Sequence, residues 1–297
     1  QEGCDKFCSF CVVPYTRGSE YSRPASVVIR EARTLVEGGT KEITLLGQNV
    51  NAYNGCSGGL GGLVKALDGI DGLDRIRFTT SHPRDMSDAL INAFGEVDSL
   101  MPYLHLPVQS GSDRVLERMN RRHDVEYYEK TISKIRAIRP DIAISSDFIV
   151  GHPGETEADF VETLKLADRV GFAQAYSFKY SARPGTPASD YQDQVSEQSK
   201  TERIARLQGL LGQHQKSFNE KFVGSFSKIL LDRTGRLSDQ LAGRSPHNQS
   251  VHVNVLPKEF FSLLGKIVLV RITKANQNSL TAELVQEEEV KLPEVPV

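Results

Sequence analysis

The sequence predicts an α/β fold: an open, partial (β/α)6 barrel followed by a small all-β barrel. Three observations carry that prediction. From Ala25 to about Pro187, helical periodicity alternates with short apolar strands and turn residues, as in repeated β/α units on a parallel sheet. After Phe222 the hydrophobic period changes to two, as in Val251-His252-Val253-Asn254-Val255 and Lys266 to Ile272. The first region offers five strands and the stub of a sixth, fewer than the eight that close a (β/α)8 barrel.

Taken in order, Gln1 to Gly3 reads as the last stub of a strand that is otherwise missing, so the chain reads as a fragment. A cysteine-bearing loop follows, bracketed by Gly3 and Pro14. Strands are expected at Glu42 to Leu46, Arg75 to Thr79, Tyr103 to Leu106, Ile142 to Val150 and Gln174 to Tyr180. The helices between them run over Ser26 to Glu37, Leu60 to Leu67, Asp85 to Phe94, a pair within Asp113 to Ile138, and Glu157 to Val170. A long helix from Ser196 to Phe222 closes the region. The expected domains are 1–221, 222–286, and an acidic tail, 287–297, whose three successive Glu and two Pro read as disorder. In a β/α architecture of this kind the site belongs at the C-terminal ends of the strands.

Composition narrows the class. The chain of 297 residues is 39% hydrophobic and 25% charged, with a mean hydropathy of −0.34. No apolar run approaches the ~18 residues of a membrane span, so no membrane partner is expected. The net charge of −2 is unevenly spread: residues 222–286 carry eight Lys and Arg against four Asp and Glu, while the tail has four Glu and one Lys. A basic module thus follows a mildly acidic body.

Three of the four cysteines, Cys4, Cys8 and Cys11, fall within eight residues in the spacing C-x3-C-x2-C. Such a loop supplies three thiolates to a four-iron, four-sulfur cluster and leaves one iron open for chemistry. Tetrahedral zinc asks for a fourth ligand, yet Cys56 lies 45 residues beyond Cys11 and the nearest histidine is His82. A disulfide framework belongs to small secreted chains. One helix face could also carry i, i+4 and i+7, but Gly3 and Pro14 favour a loop. The glycine-rich stretch 55–62 lacks the Gly-Lys-Ser/Thr ending of a phosphate loop and reads as a flexible connection, with Cys56 a bystander. His82, His105 and His152 read as histidines satisfied by packing, and Asp159, Glu162, Glu197, Lys200, Glu202, Arg203 and Arg206 as solvated helix faces.

The loop, with Phe10 just before its last cysteine, resembles the signature of the radical S-adenosylmethionine enzymes. Val12-Val13-Pro14-Tyr15-Thr16-Arg17-Gly18, Ser22-Arg23-Pro24, Leu45 to Asn51, Leu106 to Ser112 and Gly151-His152-Pro153-Gly154-Glu155 are similar to that family's methylthiotransferase branch. The resemblance covers nearly the whole chain and implies methylthiolation at C2 of N6-(dimethylallyl)adenosine next to the tRNA anticodon, within the anticodon stem-loop. Threonylcarbamoyl-adenosine in tRNA and an aspartate of a ribosomal protein are the substrates of sister enzymes. It also implies a radical-SAM core, a C-terminal RNA-binding TRAM module of OB-like type, and cytoplasmic location. Its cofactors are one open-iron cluster and S-adenosylmethionine, with a flavodoxin or ferredoxin as electron donor. A second cluster, implicated in sulfur supply, is expected only in the missing N-terminal domain. A noncatalytic iron–sulfur RNA-binding protein is the reading from another class.

The chemistry has its own logic. One electron from a low-potential centre cleaves a sulfonium to methionine and a 5′-deoxyadenosyl radical, which abstracts hydrogen from an unreactive C–H in a dry site. Carried over residue by residue, the resemblance places Phe10 on the cofactor's adenine and Gly47, Gln48 and Asn49 at its methionyl amino group. Gln109 and Ser110 fall near its ribose or carboxylate, and Arg121 at its carboxylate. Asp147, Ile149 and Gly151 line the adenosine end. Loop capping is the alternative for Gln48, Asn49 and Gln109, and a solvated place beside Glu117 for Arg121. In the basic module Arg233, Arg236, Arg244, Lys258 and Lys274 are candidate phosphate contacts.

Overall fold

The computed structural model describes residues 1–256 and 258–285. It forms two compact units, residues 1–214 and residues 215 onward. The expected disordered tail, 287–297, lies outside the described residues.

The first unit runs α1 (Val13–Arg17), α2 (Ala25–Glu37), β1 (Glu42–Leu45), α3 (Gly59–Asp68), β2 (Arg75–Phe78), α4 (Asp88–Glu96) and β3 (Tyr103–His105). It continues with α5 (Asp113–Arg118), α6 (Val125–Ile138), β4 (Ala143–Val150), α7 (Glu157–Val170), β5 (Gln174–Lys179) and the start of α8 (Glu197–Glu220). β1 pairs parallel with β2, and β4 lies between β3 and β5 in a parallel three-stranded sheet. A parallel bridge from Ile76 to Leu100, just ahead of β3, continues the order from β2. All five strands therefore point their C-terminal ends the same way, and the loops there can share one site.

The helices begin where side chains satisfy orphan backbone donors. Ser87, Ser112, Asp124 and Thr156 accept from the N–H groups of Leu90, Val115, Tyr127 and Asp159. The cap at Ser87 explains why α4 starts at Asp88 and not at Asp85, since Pro83–Asp85 forms a separate 3₁₀ turn. Burial follows the helical period: α3 turns Leu60, Leu63, Val64 and Leu67 inward, where they meet Leu90 and Phe94 of α4 and Ile76 and Phe78 of β2.

One expectation fails here, that of solvated charges on the helix faces. At the start of the chain Gln1 N donates to Leu46 O at 3.2 Å, just past the end of β1, and Glu2 forms an antiparallel bridge with Tyr21. Gly3 turns the chain at φ 70°, and a Cβ there would lie 2.0 Å from Ser19 O, so no extended run passes through it. Asp159, Lys200 and Arg203 are buried rather than solvated. Arg114, Ser112 and Thr156 hydrogen-bond Asp159, while Arg203 donates to Glu155 Oε1 at 2.8 Å. Partners 45 to 48 residues away in sequence hold Asp159 and Arg203, and Lys200 gives Nζ to Tyr180 O, 20 residues away. Glu162, Glu197, Glu202 and Arg206 are exposed.

The second unit is a closed five-stranded barrel of β6 (Phe226–Thr234), β7 (Gln240–Arg244), β8 (Ser250–Asn254), β9 (Ile267–Ala275) and β10 (Leu280–Leu284), ordered β10-β8-β7-β6-β9. The period-two residues Ile229, Leu231, Leu241, Val251, Val253, Val270, Ile272 and Leu280 fill its interior. Bulges at Leu231/Arg233 and Thr281/Ala282 bend the strands into closure.

Candidate active site

The cysteines leave a segment, residues 3–12, that has no helix or strand of its own. The turn after α5 supports it. Ser9 N donates to Met119 O at 3.0 Å, Ser9 Oγ to Arg118 O at 2.7 Å, and Asn120 Nδ2 to Phe7 O at 2.8 Å. Asn120 and Arg122 both take φ of 55°, a left-handed conformation for two non-glycine residues around Arg121. At the root of the loop, Gly3 N donates to Gln48 Oε1 at 2.8 Å and Asn49 N to Gln1 Oε1 at 3.0 Å.

All four cysteines are free; Cys8 is buried, and Cys4 and Cys11 are partly exposed. Burial pushes the Cys4 thiol up to about 11 and the Cys11 thiol upward as well, so metal binding there must release protons. Among the described residues no three His, Cys, Asp or Glu side chains converge on a single-ion site. Tetrahedral zinc needs such convergence, whereas a cluster takes each thiolate on a separate iron. The all-sulfur donor set and Arg121 Nη1 donating to Cys8 Sγ at 3.6 Å fit the cluster.

Beside the loop opens a cleft of about 330 Å³ lined by Phe10, Gln109, Asp147, Ile149, Phe178, Lys179, Tyr180, Ser181 and Arg183. Four of the expected cofactor residues, Phe10, Gln109, Asp147 and Ile149, thus share one wall. Gln109, at φ 79°, ties the loop to β4: its N donates to Asp147 O and its carbonyl accepts from Ile149 N, each at 3.0 Å. His105 Nδ1 meets Ser145 Oγ at 3.0 Å and its Nε2 lies 3.4 Å from Asp147 Oδ2, which places the ring beside a cleft carboxylate. Period-two spacing could have put His105 and Asp147 on one sheet face, but only the register brings them together. A second hollow, lined by Val28, Leu35, Ile43, Leu45 and Leu63 among others, holds none of the expected site residues.

The other expected residues lie around this core. Asn49 donates through Nδ2 to Asp85 Oδ2 at 2.7 Å, and its buried Oδ1 has no partner. Gly47 approaches Gln1 O so closely that a Cβ would meet it at 2.7 Å. Ser110 is wholly buried against Thr163 of α7 and does not line the cleft. Gly151, at φ 75°, donates its N–H to Glu155 Oε1. Arg121 is 5% exposed, which excludes the solvated place beside Glu117. His82, His123 and His152 are held below the ordinary histidine range, first by burial, His123 and His152 to about 4.

In the barrel, Arg233, Arg236, Lys258 and Lys274 are exposed and Arg244 is half-buried, giving Nη1 to Asn248 O. Burial is the main cause that lowers the pKa of His252, with Arg233 and Arg236 adding to it, and Arg233 also pairs with Asp232 Oδ1 at 2.7 Å.

Comparison with known proteins agrees with this geometry. The profile described as the Radical SAM superfamily matches residues 1–167. A protein of Sphingopyxis alaskensis named tRNA-2-methylthio-N(6)-dimethylallyladenosine synthase is 58% identical over 95% of this chain, which spans 64% of that relative's length. Its namesake from Agrobacterium fabrum is 56% identical over 96% of this chain, which spans 63% of it. Among solved structures, a radical S-adenosylmethionine methyltransferase from Kitasatospora setae aligns with a TM-score of 0.52 at 16% identity, covering 63% of this chain and 37% of that one, a likeness of fold alone. Because the matching profile takes in the cysteine loop and strands β1 to β4, more than half the chain, this chain belongs to the Radical SAM superfamily.

Proposed function

We propose that this chain forms the radical-generating and RNA-binding parts of an enzyme that methylthiolates C2 of N6-(dimethylallyl)adenosine beside the anticodon of tRNA. The observation that carries this reading is the 58% and 56% identity to two relatives bearing that name, over a span that includes both units. On this reading the first unit is a partial (β/α)6 radical-SAM barrel and the second an OB-like TRAM module. The single direction of the five parallel strands and the exposed Arg233 and Arg236 support it.

Cluster and S-adenosylmethionine, when bound, supply one-electron cleavage of a carbon–sulfur bond and hydrogen-atom abstraction from an unactivated C–H. Cys4, Cys8 and Cys11 would hold three of the cluster's irons. Phe10, Ile149 and Phe178 would give the adenosine apolar walls, and Asp147, beside His105, would offer it an acceptor. Cys56 is the only other cysteine of this sequence, so a second cluster would take its ligands from residues outside it. A flavodoxin or ferredoxin in the cytoplasm would supply the electrons.

The test has two arms. The 297-residue chain, anaerobically reconstituted and reduced with dithionite, should convert S-adenosylmethionine to 5′-deoxyadenosine and methionine without inserting sulfur into tRNA. In cells lacking the full-length gene, mass spectrometry of tRNA nucleosides should show N6-(dimethylallyl)adenosine without its 2-methylthio group. Loss of the group from threonylcarbamoyl-adenosine or from a ribosomal-protein aspartate would reassign the substrate. Absence of 5′-deoxyadenosine from a cluster-loaded chain would leave only an RNA-binding protein.

A further inference from the structure

Arg121 is a buried cation without a counter-ion. It is 5% exposed, and among the described residues no carboxylate forms a salt bridge with it. Its planar fork gives Nη2 to Pro107 O at 2.6 Å and Nη1 to Cys8 Sγ at 3.6 Å, and Nε is buried with no partner. A carbonyl and a thiol hydrogen-bond a guanidinium but do not balance its charge.

The surroundings add none. His123 Nδ1 faces Arg121 O at 3.0 Å, so that nitrogen carries the proton and donates. His82 Nδ1 accepts from Arg84 N at 3.2 Å, which puts its own proton on Nε2. The His82 ring is thereby neutral, and burial, which holds His123 down at about 4, leaves that ring neutral at pH 7 as well. Meanwhile the backbone is held left-handed at Asn120 and Arg122, and the same turn clamps the cysteine loop through Ser9 and Phe7. The fold thus commits strained backbone to keeping one cation against one cysteine.

We propose that Arg121 is the counter-ion and hydrogen-bond donor of the Cys8 thiolate, a positioning residue that fixes this ligand and raises the reduction potential of the cluster it holds. Reduction adds one electron and one negative charge to the cluster. A fixed cation donating to a ligand sulfur stabilises the reduced state more than the oxidised one. The inference rests on reading Cys4, Cys8 and Cys11 as cluster ligands. It departs from the assignment of Arg121 to the cofactor's carboxylate.

The experiment compares the wild-type chain with Arg121→Gln and Arg121→Lys, each reconstituted anaerobically and checked for folding by circular dichroism. Iron and sulfide content are measured first, and the midpoint potential is then followed by electron paramagnetic resonance without S-adenosylmethionine. Arg121→Gln should lose at least tenfold in the reduction equilibrium, a negative shift of about 59 mV or more for one electron. Arg121→Lys, which keeps the charge, should recover most of it. A cluster retained in Arg121→Lys but absent from folded Arg121→Gln is the same result in stronger form. No negative shift in Arg121→Gln, or loss of the cluster from both variants, overturns the proposal; an unchanged potential with weakened S-adenosylmethionine binding returns Arg121 to the carboxylate. Failure of the wild-type chain to take up a cluster would instead sink the reading of the cysteine loop.

Discussion

Replacing Glu155 with Gln should make the protein's stability less sensitive to rising pH. The Glu155 carboxylate accepts from Gly151 N at 2.9 Å and from Arg203 Nη1 at 2.8 Å, and the paired side chains are only 2% and 8% exposed. Burial is the largest influence and pushes Glu155 up to about 7, with Gly151 and Arg203 offsetting part of the cost. Because the folded value exceeds the unfolded one, the folded chain holds a proton between pH 4.5 and 7 that the unfolded chain has released. The associated stability is complete below the unfolded value and is lost as pH rises through the folded one. At about 1.4 kcal/mol per unit, the loss from this group approaches about 3 kcal/mol by pH 8. Other groups titrate alike in wild type and Glu155→Gln, so the difference between their melting curves isolates Glu155. Going from pH 4.5 to 8, Glu155→Gln should gain about 3 kcal/mol on wild type, about 6–12 °C in Tm for a unit of this size. Arg203→Met should instead cost about 3–5 kcal/mol at pH 8, since it strands a buried carboxylate, and much less at pH 5. A difference curve flat to within about 0.5 kcal/mol between pH 5 and 8 would refute the reasoning.

Alanine at Cys4, Cys8 or Cys11 should abolish the absorbance of the reconstituted cluster, while Cys56→Ala should keep it; iron and sulfide analysis reads the outcome. Phe10→Ala should weaken S-adenosylmethionine binding by roughly tenfold, since removing one aromatic face costs about 1–3 kcal/mol, as measured by equilibrium dialysis on the loaded chain. Charge reversal at Arg233 and Arg236 together should weaken tRNA binding and lower the salt slope of log K by about 0.7 for each phosphate no longer neutralised; unchanged affinity across the salt range would remove both from the RNA interface. His82, His123 and His152 have folded values below the ordinary histidine range, so their contribution to stability is present above about pH 6.5 and is lost as pH falls toward 4. Substituting His152, whose ring packs between Tyr180 and Tyr191, with Asn should reduce that acid sensitivity in thermal melts.

The limits of the sequence show at particular residues. Lys200 and Arg203 on α8 are indistinguishable by period from their exposed neighbours Glu202 and Arg206, yet Arg203 meets Glu155, 48 residues away. Lys200 stacks over the Tyr180 ring and packs its stem where a Cβ on Gly151 would fall. Ser110 sits in a motif beside Gln109, but the turn sends its hydroxyl to Thr163 and away from the cleft. Asn120 gives no signal at all, because its part is to hold a left-handed turn and donate to Phe7.

What the sequence determined by itself was everything that depends on local period and spacing. The β/α alternation, the change to a β-barrel after Phe222, and three thiols in one loop are written in neighbours along the chain. Tertiary structure alone decided which of the remaining polar side chains meet. The parallel register aligns His105 with Ser145 on the strand that also carries Asp147, and the turn after α5 sets Arg121 against Cys8. These pairings join residues 40 to 113 positions apart, a separation over which hydrophobic period carries no information about which polar group faces which.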